Sequence, residues 1–293
     1  MSVPSLRRLE SAGYALHLVG KSWAPRLLAG TGWPVTVRAQ GLLAAARQMR
    51  ALKAQLTAHG AAPAPWALLM TKSLSSALEA RLGGVPAVGY AYDGRSLLLS
   101  RAFKLPRFDH ASFAYWQLVS DFLGKAAPYP TEVGLNPSAA QTREAQALLT
   151  AHGLKPGAYF LFCPFSGPDD REGRKVWPGF GALAQEFRAR GIAVVVCPGP
   201  GEEASSAALA GVIILTGVDL GVYAALLALA HTVIANDTGP GHLAAAVGSR
   251  LISIYGPSSS AAWAPLGSNV ILMHAAWPSV GRVVEASLET YHP

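Results

Sequence analysis

The hydrophobic pattern is clearest in the second half of the chain. Tyr159–Pro164 is a short apolar run that stops at proline, which predicts a buried strand. Gly179–Arg190 places Phe180, Leu183 and Phe187 at helical spacing. Ile192–Cys197 is β-branched and continuous between Gly191 and Pro198, again a strand. The alternation continues with a helix over Glu202–Ala210, a strand over Val212–Leu215, a helix over Leu220–Ala230 and a strand over Thr232–Ala235. A helix over Gly241–Val247 and a strand over Leu251–Tyr255 follow, and Gly281–Tyr291 reads as a last helix. Continuous apolar strands alternating with helices predict a parallel sheet covered on both faces, a Rossmann-like layer structure.

The first half repeats the pattern less cleanly. Strands are expected at Tyr14–Val19, Trp66–Met70 and Ala87–Ala91. Helices are expected at Gly41–His59, Ser73–Leu82 and Ala111–Leu123. Asp93-Gly94-Arg95 reads as a turn. The chain opens as a helix, with Ser2 as N-cap and Pro4 in the first turn, where a Rossmann-like domain would open with a central strand. The Pro-rich stretch 124–138 reads as a linker, and Gln141–His152 as a helix leading into a second domain. The expected division is residues 1–138 and 139–293.

Composition narrows the classes. The 293 residues are 51% hydrophobic and 14% charged, which excludes a disordered chain. Two cysteines exclude a disulfide framework. The longest apolar run, Leu220–Ala235, is interrupted by His231 and falls short of a membrane span. No apolar core of a signal peptide follows Arg7, Arg8 and Glu10, so a cytoplasmic setting is expected. The net charge of +7 is uneven: residues 1–110 hold 14 Lys/Arg against 4 Asp/Glu, and residues 111–293 hold 10 against 13. A basic half suits an anionic partner, whether an acidic membrane face or a phosphorylated substrate, or else is a solvated surface. The scattered basic residues form no nucleic-acid module.

Candidate chemistry concentrates at the ends of the predicted strands in the second half. Asn236-Asp237-Thr238-Gly239-Pro240-Gly241-His242 follows a strand and opens a helix. Asp237 and Thr238 can cap that helix, and Gly239 and Gly241 admit close approach of a ligand to the backbone. Free N–H groups at such a helix start attract phosphate oxygens, and His242 in the first turn is favoured as a neutral donor. The bland alternative is an ordinary capped helix. Residues 166–178 join another strand to its helix: Ser166 can donate to a phosphate, and Lys175 or Arg174 can neutralise a diphosphate, unless the loop is simply solvated. Glu202 and Glu203 follow Gly199-Pro200-Gly201. A carboxylate there can hold ribose hydroxyls or merely favour a helix dipole. Tyr255-Gly256-Pro257-Ser258 ends the next strand. Cys163 and Cys197 lack metal spacing and read as core residues. The eight histidines form no zinc pattern, and no Walker loop or Gly-x-Gly-x-x-Gly is present.

In this order, Lys175-x-Trp177-Pro178, Gly199-Pro200-Gly201-Glu202, Asp237-Thr238-Gly239-x-x-His242 and Tyr255-Gly256-Pro257 resemble glycosyltransferase family 9, the ADP-heptose:lipopolysaccharide heptosyltransferases. Lys72-Ser73-Leu74-x-Ser76-Ala77-Leu78, Gly84-Val85-Pro86-x-x-Gly89-Tyr90 and the Arg95–Leu99 stretch are similar too. The resemblance implies a GT-B architecture, two Rossmann-like domains facing a cleft, with the nucleotide sugar held by the C-terminal one. It implies an inverting, metal-independent transfer of a heptose-type sugar from ADP-sugar to a phosphorylated lipopolysaccharide core. No cofactor is implied, and peripheral contact with the inner membrane is. Carried over, Ser166 and Lys175 face the donor diphosphate and Glu202 the ribose. Asp237 meets the sugar, and Thr238, Gly239 and His242 meet the diphosphate or sugar. The expected base, an Asp on a Gly-Asp loop after a first strand, falls ahead of Met1, so the sequence names no base and the N-terminal domain reads as lacking its first strand. Two other readings stay open: a non-catalytic nucleotide-sugar-binding protein, and a nucleotide-sugar 2-epimerase.

Overall fold

The structure is a computed structural model, and it describes residues 1–58, 60, 65–107, 110–166, 175–256, 262–274 and 276–291. The chain forms two compact units. One comprises 2–25 and 34–129; the other comprises Met1, 26–33 and 130–293. The first is called the N-terminal unit and the second the C-terminal unit.

In chain order the N-terminal unit runs α1 (Val3–Ser11), β1 (Leu18–Gly20), the short α2 (Ala24–Leu27, shared with the other unit), β2 (Val35–Val37) and α3 (Leu42–Ala58). It continues with β3 (Ala67–Leu68), α4 (Leu74–Leu82), β4 (Ala87–Ala91), β5 (Arg101–Lys104) and α5 (Phe113–Leu123). The strands are all parallel but fall in two sheets, β1-β2 and β3-β4-β5. A small core of Tyr90, Ala114 and Leu118, with Leu68, Met70 and Phe103 against it, joins the second sheet to α5. The Tyr90 hydroxyl donates to the Ala114 carbonyl at 2.6 Å, so this buried phenol is satisfied.

The C-terminal unit runs α6 (Ala139–Ala151), β6 (Phe160–Cys163), α7 (Phe180–Ala189), β7 (Val194–Val196), α8 (Glu203–Ala207), β8 (Ile213–Ile214) and α9 (Leu220–Leu229). It ends with β9 (Thr232–Asn236), α10 (Gly239–Ala246), β10 (Leu251–Ile254), β11 (Val270–Met273) and α11 (Val280–Leu288). Its sheet is six-stranded and parallel, in the order β8-β7-β6-β9-β10-β11. The continuous apolar strands have a direct cause. Leu161, Cys163, Val195, Val233 and Ala235 enter one core, under α6, α9 and α10. Their alternate neighbours Phe160, Phe162, Val194, Val196 and Ile234 enter another, under α7 and α11. With a side-chain period of two and both faces covered, apolar residues fill most positions on both sides of these strands.

Local chemistry sets the helix ends. α6 begins with a capping box between Ser138 and Gln141. The Asp219 carboxylate accepts from Gly221 N–H at 2.9 Å to start α9, which is apolar on every side because it is packed inside the unit.

Most expected elements of the C-terminal unit are present within a residue or two. The helix expected at Gly241 starts earlier, at Gly239, and α8 ends at Ala207. The strand expected over Tyr14–Val19 is displaced to Leu18–Gly20, where Leu18 pairs with Val35. Gly13, at φ +89°, ends α1, and the residues after it pair with no strand until Leu18. β2, β5, β11 and α2 lie outside the expected elements: β2 is three residues beside Pro34, and β5 carries Arg101 and Lys104 at its ends. Ser2 occupies the N-cap position of α1 but makes no side-chain cap. Among the described residues, no helix is long and apolar enough to cross a membrane.

Candidate active site

The strand order of the C-terminal unit reverses between β6 and β9. At such a switch point, the loops leaving the carboxyl ends of neighbouring strands diverge and open a crevice. A cavity of about 240 Å³ lies there, lined by Cys163, Pro164, Phe165, Ser166, Cys197, Glu202, Tyr223, Thr238, Gly239 and Pro240. It is smaller than the roughly 300–1,000 Å³ of pockets that enclose a whole ligand, so it receives part of one.

Three loops build it. After β9, Thr238 is the N-cap of α10 with extended backbone and makes no side-chain cap, and Pro240 sits in the first turn. The first N–H groups of α10 therefore have no side-chain acceptor, and no acidic residue stands in that turn. After β7, the Glu202 carboxylate accepts from Gly199 N–H at 2.8 Å, which fixes it at the cavity wall with further lone pairs for a ligand. After β6 comes Ser166, also on the wall.

Lys175 and Asp237 meet, Nζ to Oδ2, at 3.4 Å; the lysine is half-exposed and the aspartate nearly buried. The loop after β6 and the loop after β9 thus share one edge of the sheet. His242 lies in the first turn of α10, partly buried. Tyr255 is held by the Trp263 carbonyl at 2.8 Å. Burial and the neighbouring Asp237 carboxylate push its hydroxyl well above the ordinary phenol range, so it stays a neutral donor.

Sequence reasoning missed Asn236. It is fully buried, its Nδ2 donates to the Pro164 carbonyl at 2.8 Å, and its Oδ1 accepts from Trp177 N–H at 3.0 Å. A buried amide at the end of an apolar strand was the available signal, since such a group persists only when hydrogen-bonded. Trp177 is a packing residue: its ring is buried against Phe180, and its Nε1 donates to the Pro278 carbonyl at 3.0 Å. Gly179 makes room for it, because a Cβ there would come within 2.2 Å of the indole.

The cysteines join the core, as expected, and also face the cavity. Cys163 and Cys197 are free thiols at the ends of the paired strands β6 and β7. Cys163 Sγ lies 3.1 Å from the Tyr223 hydroxyl, and burial pushes the Cys163 thiol up to about 12. Both are kept neutral and act as polarisable wall atoms. No group of three or more metal-ligating side chains occurs among the described residues. Arg174, Pro257 and Ser258 lie outside the described residues.

The family model for glycosyltransferase family 9 (heptosyltransferase) matches residues 49–292. The Escherichia coli ADP-heptose lipopolysaccharide heptosyltransferase II structure superposes with a TM-score of 0.78 at 21% identity, over 98% of this chain and 93% of that one. The E. coli heptosyltransferase WaaC with ADP gives 0.74 at 21% identity, over 98% and 94%. A UDP-GlcNAc 2-epimerase from Methanocaldococcus jannaschii is more distant, with a TM-score of 0.56 at 12% identity over 98% and 89%. No curated protein sequence matches. The fold is that of the GT-B-type heptosyltransferases, and the chain belongs to glycosyltransferase family 9.

Proposed function

We propose that this glycosyltransferase moves a heptose-type sugar from an ADP-sugar to a phosphorylated lipopolysaccharide core, inverting the sugar carbon without a metal. The carrying observation is the convergence of Glu202, Ser166 and the uncapped start of α10 on one cavity, with the Lys175–Asp237 pair on the same edge of the sheet. Glu202 would take the ribose hydroxyls. The α10 N–H groups, Thr238, Gly239 and Ser166 would take the diphosphate. Lys175 would leave Asp237 for the departing phosphate oxygens, freeing Asp237 to orient the sugar hydroxyls; His242 would donate to either. Fixed donors aimed at the leaving diphosphate supply the main stabilisation, because negative charge develops there as the glycosidic bond breaks. The setting would be cytoplasmic, with peripheral contact at the inner membrane supported by the basic first half of the sequence.

The test is calorimetry with ADP, followed by transfer from ADP-heptose to a heptose-free core acceptor. Glu202→Gln and Lys175→Ala should each weaken ADP at least about tenfold, the cost of a lost charge-assisted contact. An unaltered product yield with chelator, and an inverted anomeric centre by NMR, are expected. Absence of ADP binding refutes the reading. ADP binding without transfer supports the binding-protein alternative, and UDP-sugar turnover without acceptor supports the epimerase.

A further inference from the structure

Along α9 every side chain is apolar except that of Tyr223. A helix packed inside the unit gains nothing from a phenol hydroxyl unless that hydroxyl has a partner. Other buried tyrosines show how the fold supplies one. Tyr90 donates to the Ala114 carbonyl, Tyr159 to the Leu226 carbonyl and Tyr255 to the Trp263 carbonyl. Tyr223 meets a sulfur instead: its hydroxyl lies 3.1 Å from Cys163 Sγ. A thiol is a weak acceptor and a weak donor, so this hydroxyl is held loosely.

The loosely held group faces the donor site. α9 carries the chain from β8 back to β9, which puts its amino end at the carboxyl edge of the parallel sheet, and Tyr223 lies in its first turn. There Tyr223, Cys163 and Glu202 line the same cavity. Burial, then the neighbouring thiols and the Glu202 carboxylate, push the Tyr223 hydroxyl well above the ordinary phenol range, so it stays a neutral donor. Glu202, pinned by Gly199 N–H, is an acceptor. A vicinal diol fits such a pair, because one hydroxyl can donate to the carboxylate while its neighbour accepts from the phenol.

We propose that Tyr223 reads the ribose of the donor nucleotide: its hydroxyl leaves the Cys163 sulfur for one ribose oxygen, while the adjacent ribose hydroxyl donates to Glu202. The exchange is favourable because a hydroxyl oxygen is a better acceptor than a thiol sulfur. This deepens the proposed function and rests on it, since that reading puts the ribose at Glu202.

The experiment is calorimetry of the full chain with ADP, 2′-deoxy-ADP and 3′-deoxy-ADP. The wild-type chain should bind both deoxy nucleotides more weakly than ADP; absence of any such penalty overturns the proposal. Tyr223→Phe should weaken ADP about three- to tenfold, the worth of one neutral hydrogen bond. It should also erase the penalty for one of the two deoxy nucleotides and keep the other. Equal weakening of all three ligands is what lost packing alone produces, and it overturns the proposal. Cys163 supplies a second check. Cys163→Ser offers Tyr223 a stronger acceptor and should weaken ADP, whereas Cys163→Ala releases the hydroxyl and should bind ADP at least as tightly as Cys163→Ser; the reverse order overturns the exchange. ADP binding with an unaltered Tyr223→Phe profile overturns this inference alone, whereas failure of the wild-type chain to bind ADP refutes the proposed function and this inference with it.

Discussion

The two halves of the molecule use the same parts, parallel strands and covering helices, to different effect. In the C-terminal unit six strands form one sheet, and β6, β7, β9 and β10 are buried along their whole length. In the N-terminal unit five strands form two sheets, and only β4 is buried over most of its length. Val19 on β1 is 37% exposed and Val37 on β2 44%. A strand covered on both faces draws on two cores, whereas one with a wet face draws on one. The contrast teaches that fully buried strands are concentrated after residue 130, where both faces of the sheet are covered.

The sharpest way to break that comparison is to truncate equivalent apolar positions. Leu161→Ala on β6 should cost about 3–5 kcal/mol of unfolding free energy, because it leaves a cavity in a filled core. Val19→Ala on β1 should cost under about 1 kcal/mol, since that side chain is already wet. Urea titration reads both, and a Val19→Ala loss as large as that of Leu161→Ala would show that β1 is covered. A somewhat smaller effect is expected at Asn236. Asn236→Leu leaves Trp177 N–H and the Pro164 carbonyl buried without partners, for a loss of about 2–4 kcal/mol in the same titration. Little change there would mean that water replaces the amide.

The smallest effects distinguish the halves by pH. His17, bonded to Thr36 at 2.7 Å, has its pKa lowered by burial below the ordinary 6.5. Its unfolded form binds the extra proton, so its contribution is intact above about pH 6.5 and is lost as pH falls towards the folded value. The Cys163 thiol is raised from 9.0 to about 12. Its contribution is intact below about pH 9 and is lost as pH rises towards 12. Either slope is bounded by about 1.4 kcal/mol per pH unit for one proton. His17→Gln should flatten the acid limb and Cys163→Ala the alkaline limb. Persistence of either slope in its variant would assign it to another group.

How far the sequence could be read follows the same division. Phe160–Cys163 and Thr232–Asn236 were legible because both faces are buried, and Phe160–Cys163 and Val233–Ala235 are therefore continuous apolar runs. Thr238 and Pro240 were legible as the start of α10 because cap and first-turn chemistry is local. β2 and β5 were not, and β1 was expected too early, over Tyr14–Val19. They are three or four residues long and partly wet, and their pairing depends on partners more than a dozen residues away. Asn236 and Arg95 were illegible as organisers for a related reason. Their partners are backbone carbonyls and amides supplied by other segments, and composition and spacing do not encode such contacts.

Asn236 has one more consequence. With one arm on Pro164 and the other on Trp177, it acts as a crossbar between the strand that delivers Asp237 and the segments on either side of the Lys175 loop. Because both arms are hydrogen bonds of one buried amide, the two flanks of the crevice should tighten or slacken together, as a single jaw.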